Sequence, residues 1–218
     1  MKTSLARRCA AEFLATAFLV AAVVGSGIMS ERLAGGNVAL ALLTNTIATG
    51  AALVALILTF GAISGAHMNP VVTLSSALAG AMRWSEFPGY AAAQIAGGVC
   101  GTFAAHAMFS LPLLTLSQQR RSGPAQGFSE FVATFGLLAV VHGCGRRKPD
   151  AVAYAVGGYI TAAYWFTAST SFANPAVTLA RSISDTFSGI SPSDVPLFFA
   201  AQLVGAIAAT FLFRWLLD

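Results

Sequence analysis

The sequence predicts an all-α membrane protein in which six transmembrane helices and two re-entrant half-helices form an inverted repeat. Three observations predict it. Charged residues are only 9% of the 218 and the AVILMFWYC set is 56%, with a mean hydropathy of +0.74. Soluble domains carry roughly 25% charged residues. Six apolar runs are long enough to cross a bilayer, and two shorter ones are not. Three motifs recur in the same order in both halves of the chain.

The low charge excludes a soluble enzyme, a nucleic-acid binder and a disordered chain. The net charge of +4 comes from twelve scattered basic residues, too few to track a phosphate backbone. A chain of this kind has the lipid bilayer as its partner, and its basic residues mark cytoplasmic loops.

A membrane helix needs roughly 20 mostly apolar residues. The six runs at 8–29, 37–60, 86–108, 127–144, 151–168 and 195–216 meet that need. The first carries Glu12 and ends at no small-residue cleavage site, so it is not a removable signal segment. The stretches Pro70–Ala79 and Pro175–Asp185 are too short to span. Ten residues reach about 15 Å, half of a hydrocarbon core of about 30 Å. Asn69 and Asn174 precede the two prolines, and Asn-Pro suits an N-cap followed by the first helical position.

Orientation follows from Lys and Arg. Lys2, Arg7, Arg8, Arg83, Arg146, Arg147, Lys148 and Arg214 fall on one side of such a topology. Arg32, Arg120, Arg121 and Arg181 fall on the other. Eight against four puts both termini in the cytoplasm, with Arg120 and Arg121 against the trend.

The repeat is carried by three matched pairs. Glu12-Phe13-Leu14-Ala15-Thr16 pairs with Glu130-Phe131-Val132-Ala133-Thr134. Asn69-Pro70-Val71-Val72-Thr73-Leu74 pairs with Asn174-Pro175-Ala176-Val177-Thr178-Leu179. Ala92-Ala93-Gln94 pairs with Ala200-Ala201-Gln202. The chain reads as one transmembrane domain, 1–218, with repeats at 5–110 and 125–218. Three spans per repeat is an odd number, so the second copy lies upside down. Inverted repeats place a site near the midplane, built from broken helices.

Two half-helix N-termini meeting there focus positive potential and disfavour cations and protons. The Asn amides can donate to a neutral, hydroxylated solute. Glu12 and Glu130 lie inside spans, where a carboxylate must find partners. They fit a structural role, accepting N–H groups from the irregular backbone before each half-helix, or a proton relay in a coupled transporter. No chain of further titratable groups at matched positions supports the relay. His67, beside Gly65 and Ala66, is expected to order an open loop or line a pore, with a titrating gate as the alternative. His106 and His142, near helix ends, are expected at a surface or interface. Ser26 between Gly25 and Gly27 has the surroundings of an intramembrane nucleophile, but small triplets also serve helix packing. Cys9, Cys100 and Cys144 match no metal spacing and read as packing residues, with a thiol site for a soft solute as the alternative. No catalytic residue, metal or cofactor is expected.

With these motifs in place, the chain over about residues 5–216 resembles the aquaporin/aquaglyceroporin family. The resemblance implies one pore per subunit, a homotetramer, and passive flow of water or small neutral solutes. The first motif here is Asn69-Pro70-Val71, where most members have Asn-Pro-Ala. The second, Asn174-Pro175-Ala176, is regular. Most members follow it with an Arg that narrows the outer constriction; here the slot holds Val177. Arg181, four residues on, is expected not to substitute.

The family's other constriction positions lie twenty residues before the first Asn, and twelve and three before the second. They fall on Thr49, Ala162 and Ser171. A filter of Thr49, Ala162, Ser171 and Val177 is wide, mildly polar and uncharged. Glycerol facilitators usually have Arg-Asp where this chain has Val177-Thr178. The Val-for-Arg replacement and the Asn-Pro-Val motif resemble the aquaglyceroporin-like channels of bacterial arsenic-resistance operons. That resemblance implies passage of arsenite and methylated arsenicals or other metalloid hydroxides, in a bacterial inner membrane. A general glycerol and water facilitator is the alternative, and a proton-coupled transporter the alternative outside the channel class.

Overall fold

The computed structural model describes residues 3–217. Among them there are eight α-helices, three short 3₁₀ turns and no strand. The helices are α1 Leu5–Leu33, α2 Val38–Ser64, α3 Pro70–Leu78, α4 Phe87–Met108, α5 Pro124–Arg147, α6 Val152–Phe166, α7 Pro175–Ser182 and α8 Val195–Leu217. Lys2, used for orientation, lies outside the described residues.

Local chemistry sets the boundaries. The Ser4 and Asn37 side chains cap α1 and α2, accepting from the amides of Arg7 and Leu40. Gly65 ends α2 in the left-handed region at φ 94°, which a Cβ would oppose. Pro opens α3, α5 and α7, where its missing N–H costs nothing. Helix α1 runs 29 residues, seven more than its apolar run, because the polar ends continue into water. Helix α6 has only 15 residues, so its expected end at 168 is replaced by an irregular segment leading to Asn174. Helix α7 stops at Ser182 rather than 185, and the Asp185 carboxylate instead accepts from the Gln118 amide.

Helices α1, α2, α5 and the stretch Pro192–Leu217 are each apolar enough to cross a membrane, with mean hydropathy from 1.4 to 2.1. The packing is two-fold. Helix α1 packs on α4 and α2, and α5 packs on α8 and α6. Helix α2 meets α6 across the halves, and each half-helix packs on the last helix of both halves, α3 on α4 and α8 and α7 on the same two. The ends show the inversion. Arg8 of α1 bonds Glu86 beside the start of α4, and Arg214 near the end of α8 reaches the Leu78 carbonyl at the end of α3. At the opposite end, Arg32 reaches Phe109, and the Arg121 amide before α5 bonds Asp194 before α8.

Close crossings hold each half together. A Cβ on Gly97 of α4 would strike the Phe13 carbonyl of α1. A Cβ on Gly205 of α8 would lie 2.7 Å from the Phe131 carbonyl of α5, the matched place in the other half. Glycine here permits backbone contact between helices, as small residues do in membrane bundles.

Candidate functional site: a pore at the meeting of two half-helices

The N-termini of α3 and α7 face each other. Asn69 Oδ1 accepts from the Val71 amide at 3.0 Å, and Asn174 Oδ1 from the Ala176 and Val177 amides at 3.0 and 3.3 Å. Each Asn then donates across the interface. Asn69 Nδ2 lies 2.8 Å from the Ala173 carbonyl, and Asn174 Nδ2 lies 2.7 Å from the Met68 carbonyl. An amide has two N–H donors, so one remains on each Asn.

The segments before the two Asn residues have the same unusual backbone. Ala66 and Met68 have φ of 48° and 50°, and Ser171 and Ala173 have 51° and 48°. Left-handed backbone costs a non-glycine residue roughly 1–2 kcal/mol, so something must hold it. Glu12 does so in the first half, its carboxylate accepting from the His67 and Met68 amides at 2.9 and 2.7 Å. Glu130 does so in the second, accepting from the Phe172 and Ala173 amides, both at 2.8 Å. Both carboxylates are fully buried. The repeated glutamines complete the arrangement. Gln94 Nε2 bridges Glu12 and Thr73 at 2.8 and 2.9 Å, and Gln202 Nε2 bridges Glu130 and Thr178 at 2.6 and 2.9 Å. In a trans peptide the carbonyl points opposite the N–H. The carbonyls of Ala66, His67, Ser171 and Phe172 therefore turn away from the glutamates, and all four residues line a cavity.

That cavity has a volume of about 290 Å³. Leu19, Val23, Leu53, Val156 and Ile160 of α1, α2 and α6 give it an apolar lining, and residues of the two irregular segments line it as well. Thr49, His67, Asn69, Ser171, Asn174 and Val177 all border it. Pro70, Val71, Pro175 and Ala176 do not; Val71 and Ala176 are buried against the protein interior instead. His67 Nδ1 sits 3.1 Å from Thr73 Oγ1, and its ring lies 5.6 Å from that of Tyr90.

Several placements differ from the sequence expectations. Ala162 is exposed on the outside of α6 and does not border the cavity. Tyr164, two residues on, is buried and does, with its hydroxyl 3.3 Å from Thr49 Oγ1. Two residues rotate a helix by about 200°, so the two side chains take opposite faces. Counting back from Asn174 crosses an irregular segment with left-handed residues, which breaks the link between spacing and helix phase.

Arg181 also borders the cavity. Tyr164 and Arg181 thus add an aromatic ring and a cation to the cavity lining, at positions outside those the sequence spacing picks out. His106 is fully buried, with Nε2 2.9 Å from Ser184 Oγ, and His142 is half-buried, borders the cavity and lies 2.8 Å from Ser75 Oγ. Both belong to the interior because each bridges a full helix to a half-helix or to the segment after it. Ser26 accepts from Asn45 Nδ2 at 2.8 Å and donates to the Ala22 carbonyl, tying α1 to α2. The three cysteines are free and none borders the cavity.

Outside the membrane, Glu86 is held by Arg8 and Arg83, each with a nitrogen 2.7 Å from Oε1. Their hydrogen bonds push its carboxyl from an ordinary 4.5 down to about 2.

The major intrinsic protein family model matches residues 1–149 and 145–218. The chain is 57% identical over 214 residues to aquaglyceroporin AqpS of Rhizobium meliloti (strain 1021), covering 98% of this chain and 91% of that one. It is 32% identical to aquaporin NIP1-3 of Oryza sativa subsp. japonica, covering 96% of this chain and 73% of the relative. The solved aquaglyceroporin of Plasmodium falciparum shares the fold, with a TM-score of 0.76 over 96% of each chain at 21% identity. The cavity, its two capped half-helices and these matches lead to one conclusion: the chain belongs to the major intrinsic protein family and is an integral membrane channel, not an enzyme.

Proposed function

We propose that this channel passes water, glycerol and other small neutral hydroxylated solutes passively, and that metalloid hydroxides, arsenite and methylated arsenicals are among them. The observation that carries this reading is Val177 at the cavity wall, in the slot where most family members narrow the pore with Arg. A valine is shorter than that Arg, and Thr49, Tyr164 and Ser171 add hydroxyl-bearing residues to the lining of the same cavity, which Arg181 also borders. The half-helix N-termini meeting at Asn69 and Asn174 disfavour cations at the centre. The arsenical part rests on the resemblance of the Asn-Pro-Val and Val-for-Arg features to channels of arsenic-resistance operons. The reading includes a homotetramer in a bacterial inner membrane with both termini cytoplasmic, supported by the family resemblance and the basic-residue bias.

The test is solute flux in proteoliposomes for water, glycerol, arsenite and methylated arsenicals, with and without Val177→Arg. Passage of arsenicals that slows in Val177→Arg, more than water slows, supports the reading. Passage of water and glycerol without arsenicals leaves the general facilitator as the function. Equal flux of every solute in a folded Val177→Arg protein removes residue 177 from the constriction.

A further inference from the structure

One matched place in the two halves is built differently, and the difference borders the cavity. Counted from the paired glutamates, glutamines and asparagines, His142 of α5 matches Val24 of α1, Thr210 of α8 matches Thr102 of α4, and Ser75 of α3 matches Ala180 of α7. At one place Thr102 Oγ1 donates to the Ala180 carbonyl at 2.9 Å. Val24 and Ala180 there are fully buried and do not border the cavity. The fold therefore closes this crossing with a valine and an alanine. At the other place His142, Ser75 and Thr210 form a hydrogen-bonded chain, and His142 and Ser75 border the cavity.

Proton counting fixes the direction of that chain. Thr210 Oγ1 donates its one hydrogen to the Ala206 carbonyl at 2.7 Å. Toward Ser75 Oγ, also 2.7 Å away, it can then only accept. Ser75 gives its hydrogen to Thr210, so it can only accept from His142 Nε2 at 2.8 Å. In the neutral imidazole the proton therefore sits on Nε2, and Nδ1 is an acceptor. Among the described residues Nδ1 has no hydrogen-bond partner and, unlike Gln94 Oε1, it is not buried. Three helices thus hold one ring with a free acceptor.

Ser75 lies six residues along α3 from Asn69, roughly 9 Å from the meeting of the half-helices. Ser76, Ala79 and Ala81 line the cavity at this end of α3. Leu137 and Val141, on the same helix as His142, line it too and offer no polar side-chain atom. An O–H group brought from water into such a lining needs an acceptor.

We propose that His142 Nδ1, oriented by Ser75 and Thr210, is a solute-binding station at that end of the cavity, apart from the constriction at Val177. The ligand class is a small neutral polyol or metalloid hydroxide, one O–H of which donates to Nδ1. The proposal rests on the reading of the pore as a passage for hydroxylated solutes, and it gives one half of the repeat a contact that Val24 denies to the other.

The experiment is concentration-dependent flux of glycerol and of boric acid in proteoliposomes, for the unsubstituted protein, His142→Val and His142→Gln. His142→Val installs the side chain that the matched crossing already packs, and removes the acceptor. It is expected to raise the half-saturating concentration of both solutes about three- to tenfold, the range of one lost hydrogen bond. His142→Gln keeps a donor and an acceptor and is expected to shift it less. A purely structural imidazole would lower the amount of folded protein and leave half-saturation where it was. Unchanged half-saturation in folded His142→Val overturns the proposal. A second measurement needs no variant: acylation of the imidazole by diethyl pyrocarbonate, read at His142 by peptide mass spectrometry. Glycerol at twice its half-saturating concentration is expected to slow that reaction about threefold. An unchanged rate, or no acylation at His142 at all, also overturns the proposal. Failure of the channel reading shows separately, as no glycerol or boric acid flux in the unsubstituted protein.

Discussion

Asn69 and Asn174 are cross-tied: each donates its amide to the carbonyl just before the other, at 2.8 and 2.7 Å. The two half-helices are thereby joined end to end through side chains that also cap them. Asn69→Ala is expected to lose the cap, worth about 1 kcal/mol. It also strands the buried Ala173 carbonyl, a further cost of about 1 kcal/mol or more. Thermal unfolding in detergent should show a lowered midpoint, and a midpoint equal to the unsubstituted protein would contradict the tie.

Each glutamate accepts the backbone amides that hold its irregular segment. Glu12 takes bonds from Ser64 Oγ, the His67 and Met68 amides and Gln94 Nε2. Glu12→Gln replaces one acceptor oxygen with a donor, so it should cost about 2 kcal/mol or more. Hydrogen exchange at His67 and Met68 should speed up. A relay role predicts something different, uphill solute accumulation under a pH gradient, which this protein should not show.

Gly97 marks one of two equally close backbone crossings of α4 on α1, the other being Gly101. Gly97→Ala places a methyl against the Phe13 carbonyl and must push α1 and α4 apart. A loss of about 1–3 kcal/mol is expected from such overpacking. Denaturation in mixed micelles measures it, and an unchanged stability would show that the crossing can open freely.

Glu86 gives a pH-dependent term. Its folded pKa of about 2 lies below its ordinary 4.5, so its ion pairs stabilise the fold fully above pH 4.5. That contribution falls away as pH drops from 4.5 toward 2. Glu86→Gln should therefore lower the unfolding midpoint at pH 7 and remove part of the acid sensitivity between those values. Parallel acid profiles for the two proteins would place the acid sensitivity elsewhere.

Local chemistry made much of this protein readable from its residues. Apolar runs set the spans, Asn-Pro set the half-helix starts, and the duplicated Glu, Asn and Gln set the inversion. Each depends on neighbours in the chain or on an odd number of crossings, and none needs the tertiary structure. The glutamine motif was visible as a repeat, but its bridge between Glu and Thr joins residues 82 and 21 apart in one half and needed the fold. The lining of the pore was decided only by tertiary structure. Left-handed residues between α6 and α7 uncouple residue count from helix phase, so the inward face of α6 carries Tyr164 and not Ala162. The packing of Arg181 over the Phe172 ring, with its Nε on the Ser188 carbonyl, joins residues from three segments and is likewise set by the fold. Sequence determines which segments are helical and where they begin; which faces and side-chain tips meet in the pore depends on how the helices rotate and pack against one another.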